Sequence, residues 1–317
     1  MTSNNINDNM ERYYAANAAH YDVGLMRIGC TENQAREYAA YFRTLRGVYY
    51  SKILRASKLL RSTGGPIRVL DIGCGLGEDI HALNGMLQPA EFVGVEVSST
   101  AVQVCESAKL SNMHFFCGEL KDLPLEAKSF DLILNFCVLE HTASPLALIQ
   151  ACEHLLKDTG IIVSCVPNHR YWWSWYLPQY AVMKLTGKRV ESHSVYTRLM
   201  QNVFQQLNLN IVHYDIFGFR PPQEFFSKIP EPMLQTVLNN MSAIGKALHN
   251  TFFRYCLYLE LYVCSKSPMV DMEASLDEAY MERSNAFFSL LSLPYFAVWW
   301  INVSLSVLKM VFKRFRG

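Results

Sequence analysis

The chain has 317 residues, half of them hydrophobic, and a formal charge of +1. That length suffices for one α/β domain with a buried core plus additions, and the near-neutral balance makes no electrostatic case for a nucleic-acid partner. The nine cysteines are scattered without C-x-x-C pairs, which argues against zinc and disulfides and for buried thiols in a reducing compartment.

The first ten residues are polar and lack a secretory hydrophobic region, so the expected location is cytoplasmic. Residues 11–61 read as helical and precede the first strand. Strands are expected at 67–72, 91–96, 113–117, 130–136 and 160–166, alternating with helical runs such as 101–110 and 145–156. Short apolar strands separated by helices imply a parallel sheet covered on both faces. Two further strands are expected at 210–218 and 255–265. The plan has three parts: an N-terminal helical segment over 1–65, a core domain over 66–267, and a C-terminal region over 268–317. Insertions at about 167–192 and 220–251 interrupt the core. Both follow strands whose carboxyl ends face the expected site, so they are placed to form a lid. The first contains the run Y-W-W-S-W-Y, and so much aromatic surface needs burial against a second small core, an apolar substrate or a membrane.

Residues 69–77 read V-L-D-I-G-C-G-L-G. An apolar strand ends in Asp71, and glycine follows at every second position (Gly73, Gly75, Gly77). Glycine permits sharp turns and close approach of the backbone to a ligand, and a helix begins at Glu78. Alone, such a loop fits either a nucleotide-like ligand or a plain tight turn, and it lacks the GxGxxG spacing of a dinucleotide fold. The next strand ends in Glu96, about 20 residues further on, where an acid can accept hydrogen bonds from ribose hydroxyls. A helix cap or a solvated acid is the alternative there. Glu119-Leu120 and the block L-P-L-E-A-K-S-F-D-L-I-L-N-F over 123–136 come next, followed by V-L-E-H.

In this order the motifs resemble those of the class I S-adenosylmethionine-dependent methyltransferases. The similar branch comprises ubiquinone- and menaquinone-biosynthesis and related small-molecule enzymes. The resemblance runs over 67–167 and continues more weakly over 193–266. It implies a Rossmann-like, seven-stranded, mostly parallel sheet with the last strand antiparallel, and S-adenosylmethionine as cofactor. By the same resemblance Asp71, Gly73, Gly75 and Gly77 hold the cofactor's amino-acid end, and Glu96 takes the ribose. Val97 packs on the adenine, Glu119 and Leu120 lie at the adenine edge, and the Asn135 backbone lies near the amino group. Similar enzymes close a helical segment bearing a tyrosine over the cofactor; Tyr21 is the candidate, with a surface-packed tyrosine the alternative. Asp131 starts its strand and is read as structural. The cofactor's sulfonium and ammonium suit a rim of acids, whereas a diphosphate would prefer amides and cations.

Transfer to a hydroxyl benefits from a base near neutral pH. His141 in V-L-E-H and His193 in E-S-H-S-V-Y-T are the catalytic candidates, with His169 behind them; a structural role is the alternative for each. Glu140 is read as holding local structure. Some relatives bind a divalent metal through E-x-x-E-H. Here Cys137 occupies the first position, and a hard cation wants oxygen ligands, so no catalytic metal is expected.

Residues 286–308 carry no charge, and K-M-V-F-K-R-F-R-G closes the chain. The stretch is long enough for a span, but Pro294 interrupts it. Asn302, Ser306, Lys309, Lys313 and Arg316 form one helical stripe on an otherwise apolar surface, the pattern of an interfacial helix. Membrane contact through 286–317, docking on the protein or in a homodimer, and a true span all remain open. The expected activity is methylation of O or N in a small acceptor, lipidic or lipid-linked. The alternatives are a soluble natural-product acceptor with a dimerising tail, and a silent cofactor-binding scaffold.

Overall fold

The computed structural model describes residues 31–60, 65–168, 203–204, 206–207, 209–219, 229–249 and 257–267. Seven strands form one sheet: β1 (Ile67–Ile72), β2 (Ala90–Glu96), β3 (Met113–Cys117), β4 (Phe130–Phe136), β5 (Leu156–Pro167), β6 (Asn210–Phe217) and β7 (Leu259–Ser265). Their order is β3-β2-β1-β4-β5-β7-β6. The strands β1 to β5 pair in parallel, and β7 lies antiparallel between β5 and β6. The expected mostly parallel sheet with an antiparallel last strand is therefore present. Among the described residues five α-helices accompany it: α1 (Glu32–Leu60), α2 (Glu78–Asn84), α3 (Ser99–Ala108), α4 (Pro145–Leu155) and α5 (Glu231–His249).

Every residue of β4 and β7 is buried, as expected of strands covered on both faces. One face of the sheet packs against α1, α2, α3 and α5, and the other chiefly against α4. The inner stripe of α1 is Tyr38, Tyr41, Leu45, Tyr49, Ile53, Ala56 and Leu60, all buried at the three- and four-residue spacing of one helix face. Its start is a reciprocal cap: Thr31 N–H donates to Gln34 Oε1 (2.8 Å), and Gln34 N–H donates to Thr31 Oγ1 (3.2 Å). Ser98 and Ser144 cap α3 and α4 through Ala101 N–H and Ala147 N–H.

Two expected strand starts shift by four residues. β5 begins at Leu156, directly after α4, rather than near residue 160. The turn-like K-D-T-G run stays extended there, with Lys157 bound to Asp131 and Asp158 to Lys128. β7 begins at Leu259, not residue 255. The second insertion, expected as a helical lid, contains the 19-residue α5. Asp131 lies at the start of β4, where Oδ2 accepts from Arg68 N–H (2.9 Å) and both carboxylate oxygens meet Lys157 Nζ (2.8 Å). That position joins three strands at the end remote from the rim.

Candidate active site

Strand order reverses at β1. The chain proceeds from β1 to β2 and β3 on one side and returns to β4 on the other. In open α/β sheets ligands bind outside the carboxyl ends at this crevice. Asp71, Glu96, Glu119 and Asn135 all occupy that rim, because Asp71 pairs with Gly94 and Leu134, and Ile72 with Asn135.

The glycine loop turns with φ of +65°, +54° and +77° at Gly73, Gly75 and Gly77. At Gly73 a Cβ would stand 2.5 Å from Val138 Cγ2, so both backbone angle and space demand glycine. Glu96 ties the loop to β2. Its carboxylate accepts from Gly75 N–H (3.1 Å), Val97 N–H (2.8 Å) and Ser98 N–H (3.1 Å). It is buried, so it is not a solvated acid. Val97 is half-buried and Leu120 buried beside it. Glu119 pairs with Lys121 at 3.0 Å. The Asn135 side chain turns away from any ligand-facing role by donating to Ser164 Oγ (2.8 Å), which leaves its backbone at the rim.

Asp71 is buried and its Oδ2 has no hydrogen-bond partner. Burial, and then the nearby Asp79, push its carboxyl well above the usual range; Arg46 opposes this and Glu96 adds to it. An ammonium at Asp71 would offset both desolvation and the acid–acid repulsion, so the residues present fit a cationic ligand.

Residues on α1 also reach this cleft, and motif reading overlooked Arg46 among them. Arg46 Nη1 meets Glu78 Oε2 (2.9 Å) and Asp79 Oδ1 (3.1 Å). Its guanidinium lies 4.8 Å from the Phe136 ring centroid. The Tyr50 hydroxyl donates to Asp79 Oδ1 (2.6 Å), and the Tyr49 ring packs 5.0 Å from Phe136. The available sequence signal was the apolar and aromatic stripe Tyr38, Tyr41, Leu45 and Tyr49 at three- and four-residue spacing, which marks a buried helix face but not Arg46 itself.

After β4, Cys137 takes a positive φ of 56°, and Leu139–His141 forms one 3-10 turn. Glu140 is buried, with Oε2 lacking a partner. Burial pushes its carboxyl up to about 8, against a lowering by its backbone hydrogen bond and by the Cys137 thiol. His141 is exposed, its Nε2 3.9 Å from Glu140 Oε1. Among the described residues no group of three or more His, Cys, Asp or Glu side chains could hold a metal ion. Tyr21, His169, His193 and the region 286–317 lie outside the described residues; no described helix is long and apolar enough to cross a membrane.

Residues 65–215 match the methyltransferase-domain family. Over 108 residues the chain is 34% identical to a ubiquinone biosynthesis O-methyltransferase of Cereibacter sphaeroides, covering 32% of this chain and 42% of that protein. It is 29% identical over 97 residues to a malonyl-[acyl-carrier protein] O-methyltransferase of Marinomonas sp., covering 30% and 36%. The alignments thus span about two fifths of these relatives' lengths. Among solved structures, a plantazolicin methyltransferase in complex with a triazolic desmethylPZN analog and SAH superposes with a TM-score of 0.44 at 15% identity, covering 83% of this chain and 97% of that one.

Proposed function

We propose that this chain, whose residues 65–215 match a methyltransferase-domain family, is a class I S-adenosylmethionine-dependent methyltransferase that methylates an oxygen or nitrogen of a small lipidic or lipid-linked acceptor. The observation that carries the cofactor half of this reading is the unpartnered, buried Asp71 carboxyl in the crevice between β1 and β4. When bound, S-adenosylmethionine supplies a methyl group already activated on a cationic sulfur.

The protein's own work is then positioning and exclusion of water. Asp71 takes the ammonium, and the glycine loop leaves room for the amino-acid end. Glu96 keeps that loop in register and presents its carboxylate to the ribose hydroxyls. Val97 and Leu120 flank the adenine, with Glu119 at its edge. Arg46 stands among the same acids and complements the one negative group of the cofactor, its carboxylate. His141 is the proton acceptor placed nearest the end of β4. Burial pushes the Glu140 carboxyl up to about 8, so at pH 7 it stands 3.9 Å from His141 as a mostly protonated neighbour rather than as a full counter-charge. Tyr21 and His193 are further candidates for closing the site and for accepting the proton.

The apolar acceptor is supported by the aromatic insertion and by the uncharged stretch with its basic end, which also favour peripheral attachment to the cytoplasmic membrane face. Calorimetry with S-adenosylmethionine and with NAD tests the cofactor; binding of NAD alone would overturn the reading. Turnover is tested by release of S-adenosylhomocysteine with quinol-like, fatty-acyl and water-soluble phenolic acceptors. Binding without release in any of them would favour a cofactor-binding scaffold instead.

A further inference from the structure

Two thiols beneath the glycine loop have no part in methyl transfer. Cys74 belongs to the loop itself, and Cys105 lies on the inner face of α3; both are buried. Their sulfurs converge on one acceptor, the Gly75 carbonyl, from 4.0 Å and 3.3 Å. Each thiol's ionisation is perturbed by the other's proximity. Glycines make the space. A Cβ at Gly94 would stand 2.9 Å from Cys74 Sγ, and one at Gly77 would stand 3.2 Å from Cys105 Sγ. Their proximity raises Cys74, which burial raises further, and lowers Cys105, so one of the pair is the readier thiolate. Cys152, Cys165 and Cys264, by contrast, are pushed upward by burial.

We propose that Cys74 and Cys105 form a reversible disulfide under hydroperoxide, and that this bond disables the loop that cradles the cofactor. The Cys105 thiolate attacks a peroxide oxygen, so an S–O bond forms and the O–O bond breaks. The departing oxygen takes up a proton as water or alcohol. Cys74 sulfur then attacks Cys105 sulfur; the S–S bond forms, the S–O bond breaks, and hydroxide leaves with the Cys74 proton as water. Two thiols are oxidised by two electrons and one peroxide is reduced. A disulfide holds its sulfurs about 2.05 Å apart, closer than two unbonded thiols. The loop must therefore shift toward α3, carrying Gly75 N–H away from Glu96. The binding consequence rests on the proposed cofactor site, whereas the thiol chemistry does not.

The test uses the full chain treated with hydrogen peroxide, followed by thiol blocking and peptide mapping without reductant. The expected result is a linked peptide pair containing Cys74 and Cys105. Calorimetry should show affinity for S-adenosylhomocysteine reduced at least tenfold and restored by dithiothreitol. Prior saturation with S-adenosylhomocysteine should slow the cross-link. Cys105→Ala, with Cys105→Ser as a second variant, should bind as the reduced wild type does and ignore peroxide; Cys152→Ala should respond as wild type. Absence of the Cys74–Cys105 peptide, or its formation with unchanged affinity, would overturn the inference. If the reduced wild type does not bind S-adenosylhomocysteine, the proposed function fails, while the mapping still decides the thiol chemistry.

Discussion

At Asp71 two unfavourable terms meet, burial and neighbouring acids, and a cationic ligand relieves both. Asp71→Ala should thus weaken S-adenosylmethionine binding at least tenfold while leaving the fold intact or slightly more stable. Asp131→Asn, at the far end of β4, should cost stability and spare affinity; calorimetry and thermal unfolding separate the two. Glu140 carries a pH signature. Its folded pKa of about 8 lies above the ordinary carboxyl value of about 4.3, so protonation favours the folded state. The destabilising cost of ionisation therefore grows as pH rises from about 4.3 and is complete above about 8. Glu140→Gln should match wild type near pH 4 and become progressively more stable than it up to pH 8, then run parallel. Urea titrations across that range check the sign, and a flat difference would show that Glu140 is ionised throughout.

At the scale of elements, α1 is the piece whose placement matters most, because it brings Arg46, Tyr49 and Tyr50 over the rim. A buried cluster fastens it. Lys52 Nζ lies 2.9 Å from Asp215 Oδ2, and His249 Nε2 lies 2.7 Å from Asp215 Oδ1. One carboxylate of β6 thereby joins α1 to α5. Burial pushes the Asp215 carboxyl up, but His249 and Lys52 outweigh it and hold the carboxyl at about 2. This contribution is present above the unfolded carboxylate value and is lost as pH falls toward 2. Asp215→Ala removes the carboxylate that buried Lys52, only 1% exposed, pairs with, and should destabilise the chain by about 3–5 kcal/mol. Chemical denaturation measures that loss. A cost below about 1 kcal/mol would mean that Lys52 finds other partners.

For the whole molecule, the site sits at the rim of a sheet whose last described strand ends at Ser265, ahead of the region 286–317. Deleting residues 285–317 should leave S-adenosylmethionine affinity unchanged and abolish co-flotation with anionic phospholipid vesicles. Full-length protein that stays with the soluble fraction in such a flotation assay would remove the case for membrane attachment. Activity should also persist in excess chelator, since Cys137 stands where an oxygen ligand would be needed. Loss of activity restored by magnesium would contradict this.

By itself the sequence determined the strand plan, the glycine loop and the order of acids along the rim. These are legible because local periodicity and backbone demands act over a few residues: β1, β3 and β4 begin and end where their apolar runs do. Tertiary structure alone decided which distant groups meet. Arg46 and Asp79 are 33 positions apart and Cys74 and Cys105 are 31 apart, and no local pattern encodes either meeting. The same holds for the Glu140 carboxyl, which desolvation pushes up to about 8. Desolvation depends on everything packed around a residue, and that is settled only when the chain has closed upon itself.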